Sequence, residues 1–132
     1  MRYLKEVRLD NPQDYQPGQE IKVNIFDVGD LVNVQGISKG LGNAGVVKRY
    51  GFAGGPSTHG QSDRQRARGA SGSQRPQRVL KGTRMAGHMG NVTTTVRNLK
   101  VVKVDPENNL LILRGAVPGP RKGLVVVRKV KK

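Results

Sequence analysis

The sequence contains no cysteine and no tryptophan, and only three tyrosines, two phenylalanines and two histidines among 132 residues. Without cysteine there is no disulfide framework and no thiolate metal site. No apolar run approaches the roughly 18 residues that a membrane-spanning helix requires. The opening stretch, residues 1–13, lacks the apolar centre of a secretory signal, so the cytoplasm is the expected compartment. Acids are scarce as well: nine Asp and Glu stand against 24 Lys and Arg, a net charge of +15. Such an excess on a chain of one domain's length calls for a polyanionic partner. Ile, Leu, Val and Phe supply about a quarter of the chain, above the range of a fully disordered polypeptide and enough for a small core.

Neither the charge nor the apolar residues are spread evenly. Residues 1–37 hold four bases and six acids, residues 38–104 hold thirteen bases and one acid (Asp63), and residues 105–132 hold seven bases and two acids. Of 32 Ile, Leu and Val residues, only Val79 and Leu80 fall within 53–90, a stretch that carries eight glycines. The chain therefore reads as two apolar arms, 1–52 and 92–132, forming one discontinuous body around a basic, glycine-rich insert at 53–91. The insert cannot bury enough apolar surface to fold alone, so it is expected to order against a polyanion.

The arms read as strands. Ile21, Val23 and Ile25 alternate with Lys22, Asn24 and Phe26, Tyr3 to Leu9 alternates more loosely, and Leu31 to Ile37 forms a third β-type run. Leu99–Val104 and Leu110–Leu113 flank Asp105-Pro106-Glu107-Asn108-Asn109, a turn sequence that predicts a hairpin. Leu124–Val127 reads as a buried strand, and Val117-Pro118-Gly119-Pro120 blocks regular structure ahead of it. One short helix is expected at Ala44–Tyr50, with Asn43 as its cap. The expected class is all-β, a small barrel or sandwich with a long irregular extension.

Gly40-Leu41-Gly42-Asn43-Ala44-Gly45 matches the dinucleotide fingerprint literally, but that fingerprint needs a βαβ unit, and the segment after Tyr50 is the basic insert. A turn that lets backbone approach phosphate closely fits better, with Lys39, Lys48 and Arg49 beside it. Ser57, His59 and Asp63 share an apolar-poor loop, whereas a nucleophile set needs a rigid scaffold. No acid lies near His88, so neither a metal nor a cofactor is expected. The basic residues carry the stronger signal. Arg64, Arg66 and Arg68 recur at every second position, and Arg75, Arg78, Lys81 and Arg84 at every third or fourth. Arginine outnumbers lysine six to one within the insert. Its planar fork pairs with phosphate and stacks on bases. The insert lacks aromatics, so recognition of folded RNA by shape and phosphate is favoured over a stacking platform for single strands. Met85 and Met89, flanked by glycines, read as packing at the base of the insert.

Four stretches together resemble a known family: GISKGLGNAGVVKRYGF (36–52), GGPSTHGQSDR (54–64), RVLKGTRMAGHMGN (78–91) and LKVVKVDPENNLLILRGAVPGPRKG (99–123). In order and spacing they are similar to bacterial large-subunit ribosomal protein L-three. The resemblance implies a translation-protein-type β-barrel and an extension that enters the large-subunit RNA toward the peptidyl transferase centre. It further implies an early role in subunit assembly, large-subunit rRNA and neighbouring ribosomal proteins as partners, and no chemistry of its own. The extension corresponds to about Phe52–Asn91, with its tip near Gly72–Pro76. The residues expected to touch RNA are Lys39, Lys48, Arg49, Arg64, Arg66, Arg68, Gln74, Arg75, Arg78, Lys81, Arg84, His88, Arg121 and Lys122. Two departures stand out. Family members carry a further N-terminal part whose strands join the barrel, so completion by a separate segment, or by a second copy pairing at an open edge, is expected as an alternative to self-closure. The glutamine that some members methylate stands directly before Thr-Pro, whereas here Arg75 precedes Pro76 and Gln74 lies one place further back. The alternative reading is a truncated or engineered free-standing β-barrel module that binds RNA and is able to self-associate.

Overall fold

Strand β1, Leu31–Ile37, forms the centre of the fold in the computed structural model, which describes residues 3–8 and 11–130. Its sequence alternates strictly. Val32, Val34 and Gly36 face inward and are buried, while Asn33 and Gln35 are half-buried on the other face. The β-branched residues and the period of two suit a pleated ladder. In chain order β1 is followed by β2 (Asn43–Ala44), the helix α1 (Val46–Tyr50), β3 (Gly87–His88), β4 (Thr93–Asp105), β5 (Leu110–Arg114) and β6 (Val125–Lys129). Four of these form an antiparallel sheet in the order β5-β4-β1-β6. The remaining two, β2 and β3, pair as a short ribbon.

Strand β4 links the two halves of the sheet. Its first part, Thr93–Lys100, pairs with β1, and its last part, Lys100–Asp105, pairs with β5. Two irregularities bend it. Between Val32 and Val34 the register slips by one residue, and Asn98 sits there at φ 58 with its N–H donating to Asn33 Oδ1 at 3.0 Å. Asparagine tolerates this left-handed position, and the extra residue increases the local twist. A second slip leaves Val102 unpaired opposite β5.

The core lies on one face of this sheet. Val32, Val34 and Val101 are fully buried, Leu99 nearly so, and Phe26, Val96, Val104, Leu111, Leu113, Val125 and Val127 pack around them. The expected hairpin is present. Asp105 Oδ1 accepts the N–H groups of Glu107 and Asn108 at 3.2 and 3.3 Å, and Asn109 takes φ 54 before β5 begins. Hydrogen bonds from Asn108 hold the Asp105 carboxyl below the usual carboxylate range. Lys129 at the end of β6 bridges to Asp30 at 2.7 Å and Asp27 at 3.5 Å, which ties the outer strand to the loop before β1.

Several expectations need correction. The described strands form an open sheet, with β5 and β6 as its edges, and no closed barrel. The run Ile21–Phe26 is not a strand: Val23–Ile25 is one turn of 3₁₀-helix, and Ile21 and Ile25 are exposed. An alternating pattern needs a partner ladder. Here Val23 N–H instead donates to Asn109 Oδ1 at 3.1 Å, and Phe26 turns in to cap the core. Residues 3–8 form no strand, and Leu9 lies outside the described residues. The helix starts at Val46 with Gly45 as N-cap, because Asn43 and Ala44 are taken up by the ribbon. Strand β4 begins at Thr93, six residues before the expected start, and β6 is half-buried and starts at Val125. Val117–Pro120 is irregular as expected. It crosses β1 so closely that a Cβ on Gly36 would lie 3.1 Å from Pro118 O and 3.2 Å from Pro118 Cγ.

Candidate nucleic-acid interface

The two chain legs that leave the sheet toward the insert continue the β1–β4 ladder outward. Ser38 N–H donates to Val92 O, Leu41 N–H to Met89 O and Met89 N–H to Gly42 O, each at 2.9 Å. The bridges Asn43–His88 and Ala44–Gly87 follow. Gly90, at φ 77, lets the legs approach: a Cβ there would collide with the Lys39 carbonyl oxygen and lie 3.0 Å from Leu41 N. The literal GxGxxG is thus one leg of an antiparallel ribbon that leads into a five-residue helix. It is not the strand–turn–helix of a parallel βαβ unit, so the geometry that would cradle a dinucleotide is missing.

Beyond the ribbon, α1 packs back across the second leg. Val46 and Ala44 are buried. Arg49 Nη1 donates to the Met85 carbonyl at 2.7 Å, and its guanidinium lies 5.0 Å from the centre of the Tyr50 ring. From the other leg, the Arg84 guanidinium lies 5.7 Å from the same ring, and Phe52 tilts against Tyr50 at 6.2 Å. Further out, Gly54 and Gly55 cross Arg64 and Gln65 with backbone against backbone, and Gly55 N–H donates to Gln65 O at 2.9 Å. This crossing closes the loop 55–65 and shapes an open groove lined by Phe52, Pro56, Gln61, Arg64 and Arg68. Ser57, His59 and Asp63 all lie in that loop, and no hydrogen bond joins them; Asp63 lies instead beside Ser62 at 3.5 Å and Arg64 at 4.0 Å. From Gly69 to Met85 there is no regular secondary structure, only short turns such as Arg78 N–H to Pro76 O at 2.7 Å.

The residues expected to contact RNA fall into three groups. Lys48 on α1 and Arg64, Arg66, Gln74, Arg75, Arg78, Lys81, Arg84 and His88 along the extension are exposed, and Arg68 is half-buried with Nη1 donating to Ser71 Oγ at 2.8 Å. Lys39, Arg121 and Lys122 gather at the root. Lys39 lines a groove with Ile37, Asn91 and Pro118–Pro120, and Arg121 and Lys122 lie between two of its lining residues, Pro120 and Gly123. Arg49 is half-buried and occupied internally, as described above. Among these fourteen residues, only Arg64 lies within 4 Å of a described carboxylate, and that pair is more than four-fifths exposed. The remaining charge is left for solvent or a ligand. Two residues that the sequence reading passed over belong to this region: Tyr50 and Phe52. Their signal was the Arg-Tyr-Gly-Phe step at 49–52, directly ahead of a stretch without aromatics. Met85 is half-exposed, and its carbonyl accepts the Arg49 hydrogen bond at the root.

Residues 13–109 match the family model described as Ribosomal protein L3. The chain belongs to the ribosomal protein L3 family. It is 52% identical over its whole length to the large ribosomal subunit protein uL3 of Pelotomaculum thermopropionicum, covering 62% of that protein. It is 47% identical over 99% of its length to uL3 of Thermotoga maritima, and 50% identical over 99% to uL3 of Geobacillus stearothermophilus. Those two relatives are covered to 63% and 61%, so the chain spans about three-fifths of the length of the curated relatives it matches. Among its described residues, no helix is long and apolar enough to cross a membrane, and no three metal-ligating side chains gather.

Proposed function

We propose that this L3-family chain is a structural, rRNA-binding component of the large subunit of the cytoplasmic ribosome and performs no chemistry. Residues 1–52 and 92–132 act as the body, part of a barrel whose other strands come from the additional length that the relatives carry. Residues 53–91 act as the extension that enters rRNA toward the peptidyl transferase centre. Neighbouring ribosomal proteins meet the body, and binding contributes to subunit assembly. One observation carries the reading: a row of exposed arginines of which only Arg64 has a described carboxylate within 4 Å, on a segment anchored to a sheet by a tight ribbon. Backbone-charge recognition needs cations that are not already neutralised.

The test is a binding titration of the whole chain against deproteinised bacterial large-subunit rRNA at a series of salt concentrations. Affinity should fall log-linearly, with a slope of about −0.7 for each phosphate neutralised. Arg66→Gln, a change at an exposed residue, should make the slope shallower by about one such step. An affinity indifferent to salt would refute the mechanism. Cosedimentation with large subunits separates the ribosomal role from a free-standing module, which would stay in the soluble fraction.

A further inference from the structure

The cations of the extension are not equivalent, and the root shows why. Arg49 and Arg84 come from opposite legs and converge on one ring, Tyr50, at 5.0 and 5.7 Å. Arg49 also crosses to the Met85 carbonyl at 2.7 Å, next to Arg84 in the chain. A Cβ on Gly87 would lie 3.0 Å from Arg49 Nη1, so a glycine there leaves room for the guanidinium to cross. Each leg thus holds the other. Residues 49–50 grip 84–85 through one charge-assisted hydrogen bond and one cation–π contact. Phe52 backs the ring at 6.2 Å. Beyond this point the extension has no ladder of its own among the described residues.

We infer that Arg49, Tyr50 and Arg84 form a clasp that sets the spacing and direction of the two legs before RNA is met, with Tyr50 as a positioning residue for RNA binding. The inference rests on the RNA-binding reading above. A free, splayed pair of legs would lose conformational entropy on docking, and a clasped pair has already lost it. The clasp therefore acts on affinity without adding a phosphate contact. A positioning residue and a phosphate contact can be told apart by salt: losing a phosphate contact changes the slope of log affinity against log salt, whereas losing preorganisation shifts the line and leaves its slope alone.

The experiment uses the full chain as native protein, Tyr50→Leu and Tyr50→Phe. None of these changes alters the charge. Each is titrated against deproteinised large-subunit rRNA across salt, and amide exchange is followed in the free protein at Gly51, whose N–H donates to Val47 O, and at Met89. Tyr50→Leu should bind about threefold more weakly, the scale of the one exposed cation–π contact that joins the legs, with an unchanged slope. Its Gly51 and Met89 amides should exchange faster. Tyr50→Phe keeps the ring face and should restore both. Equal affinity of Tyr50→Leu and native protein, a changed slope, or failure of Tyr50→Phe to rescue would overturn the clasp. If the native chain itself does not bind rRNA in a salt-dependent way, the RNA-binding reading falls, and the exchange rates still decide whether the clasp exists.

Discussion

Gly90 offers a direct test of how the extension is held, because Gly42, on the opposite leg of the same ribbon, provides an internal control. Both have positive φ, 77 and 66, so an alanine at either position carries the left-handed penalty of about 1 kcal/mol. They differ in space. A Cβ on Gly42 meets nothing within 4 Å, whereas one on Gly90 would overlap the Lys39 carbonyl oxygen and press on Leu41 N at 3.0 Å and Gly40 Cα at 3.1 Å. These are backbone atoms and cannot rotate away, so the legs must separate. Separation breaks Leu41 N–H to Met89 O and Met89 N–H to Gly42 O, two bonds of about 1 kcal/mol each. Gly90→Ala should therefore cost about 3 kcal/mol locally and Gly42→Ala about 1 kcal/mol. Native-state amide exchange is the suitable assay, because the ribbon can open without global unfolding. Protection at Ser38, Leu41 and Met89 should fall about thirtyfold further in Gly90→Ala than in Gly42→Ala, the equivalent of the 2 kcal/mol difference. Equal losses would refute the close-approach explanation and leave backbone conformation as the whole effect.

Two further predictions concern the sheet. The hydrogen bond from Lys129 to Asp30, followed by the attraction of Asp30 and Asp27, raises the Lys129 pKa above its ordinary value. A raised base holds its proton more tightly when folded, so its contribution is complete at neutral pH and is lost as pH climbs through the elevated value, above the usual lysine range. Circular dichroism should show the native chain losing stability in that alkaline window, and Lys129→Met should flatten the dependence; an identical pH profile in both would refute it. At the β4 bulge, Asn98→Val should lower stability by about 1–2 kcal/mol because φ 58 excludes a β-branched residue, while Asn98→Gly should be nearly neutral. Thermal melts of the two variants test this, and equal melting temperatures would argue against the bulge geometry.

The contrast between Leu31–Ile37 and Ile21–Phe26 shows what could be read in advance. Both runs alternate, yet only the first becomes a strand, because β4 and β6 lie on its two sides. Alternation reports which side chains prefer one face; it carries no information about whether a neighbour offers a ladder. The hairpin was readable because Asp105, Pro106 and Asn109 specify their turn locally. The early start of β4 was marked by the β-branched run Thr93–Val96, but no turn signal drew attention to it. The helix was placed well except at its first residues, which the ribbon claims.

For the candidate interface, charge and glycine content alone single out residues 53–91, most of which are exposed and outside regular structure, since composition determines whether a segment can bury itself. Local sequence also determined the turn at 105–109 and the strand character of β1. Only the tertiary structure decided that the sheet stays open, that Gly90 brings two distant legs into contact, and that Arg49 and Arg84 meet over Tyr50. The last pair is separated by 35 positions in the chain, and such an encounter depends on how the legs are folded together, which a periodicity or a charge count does not contain.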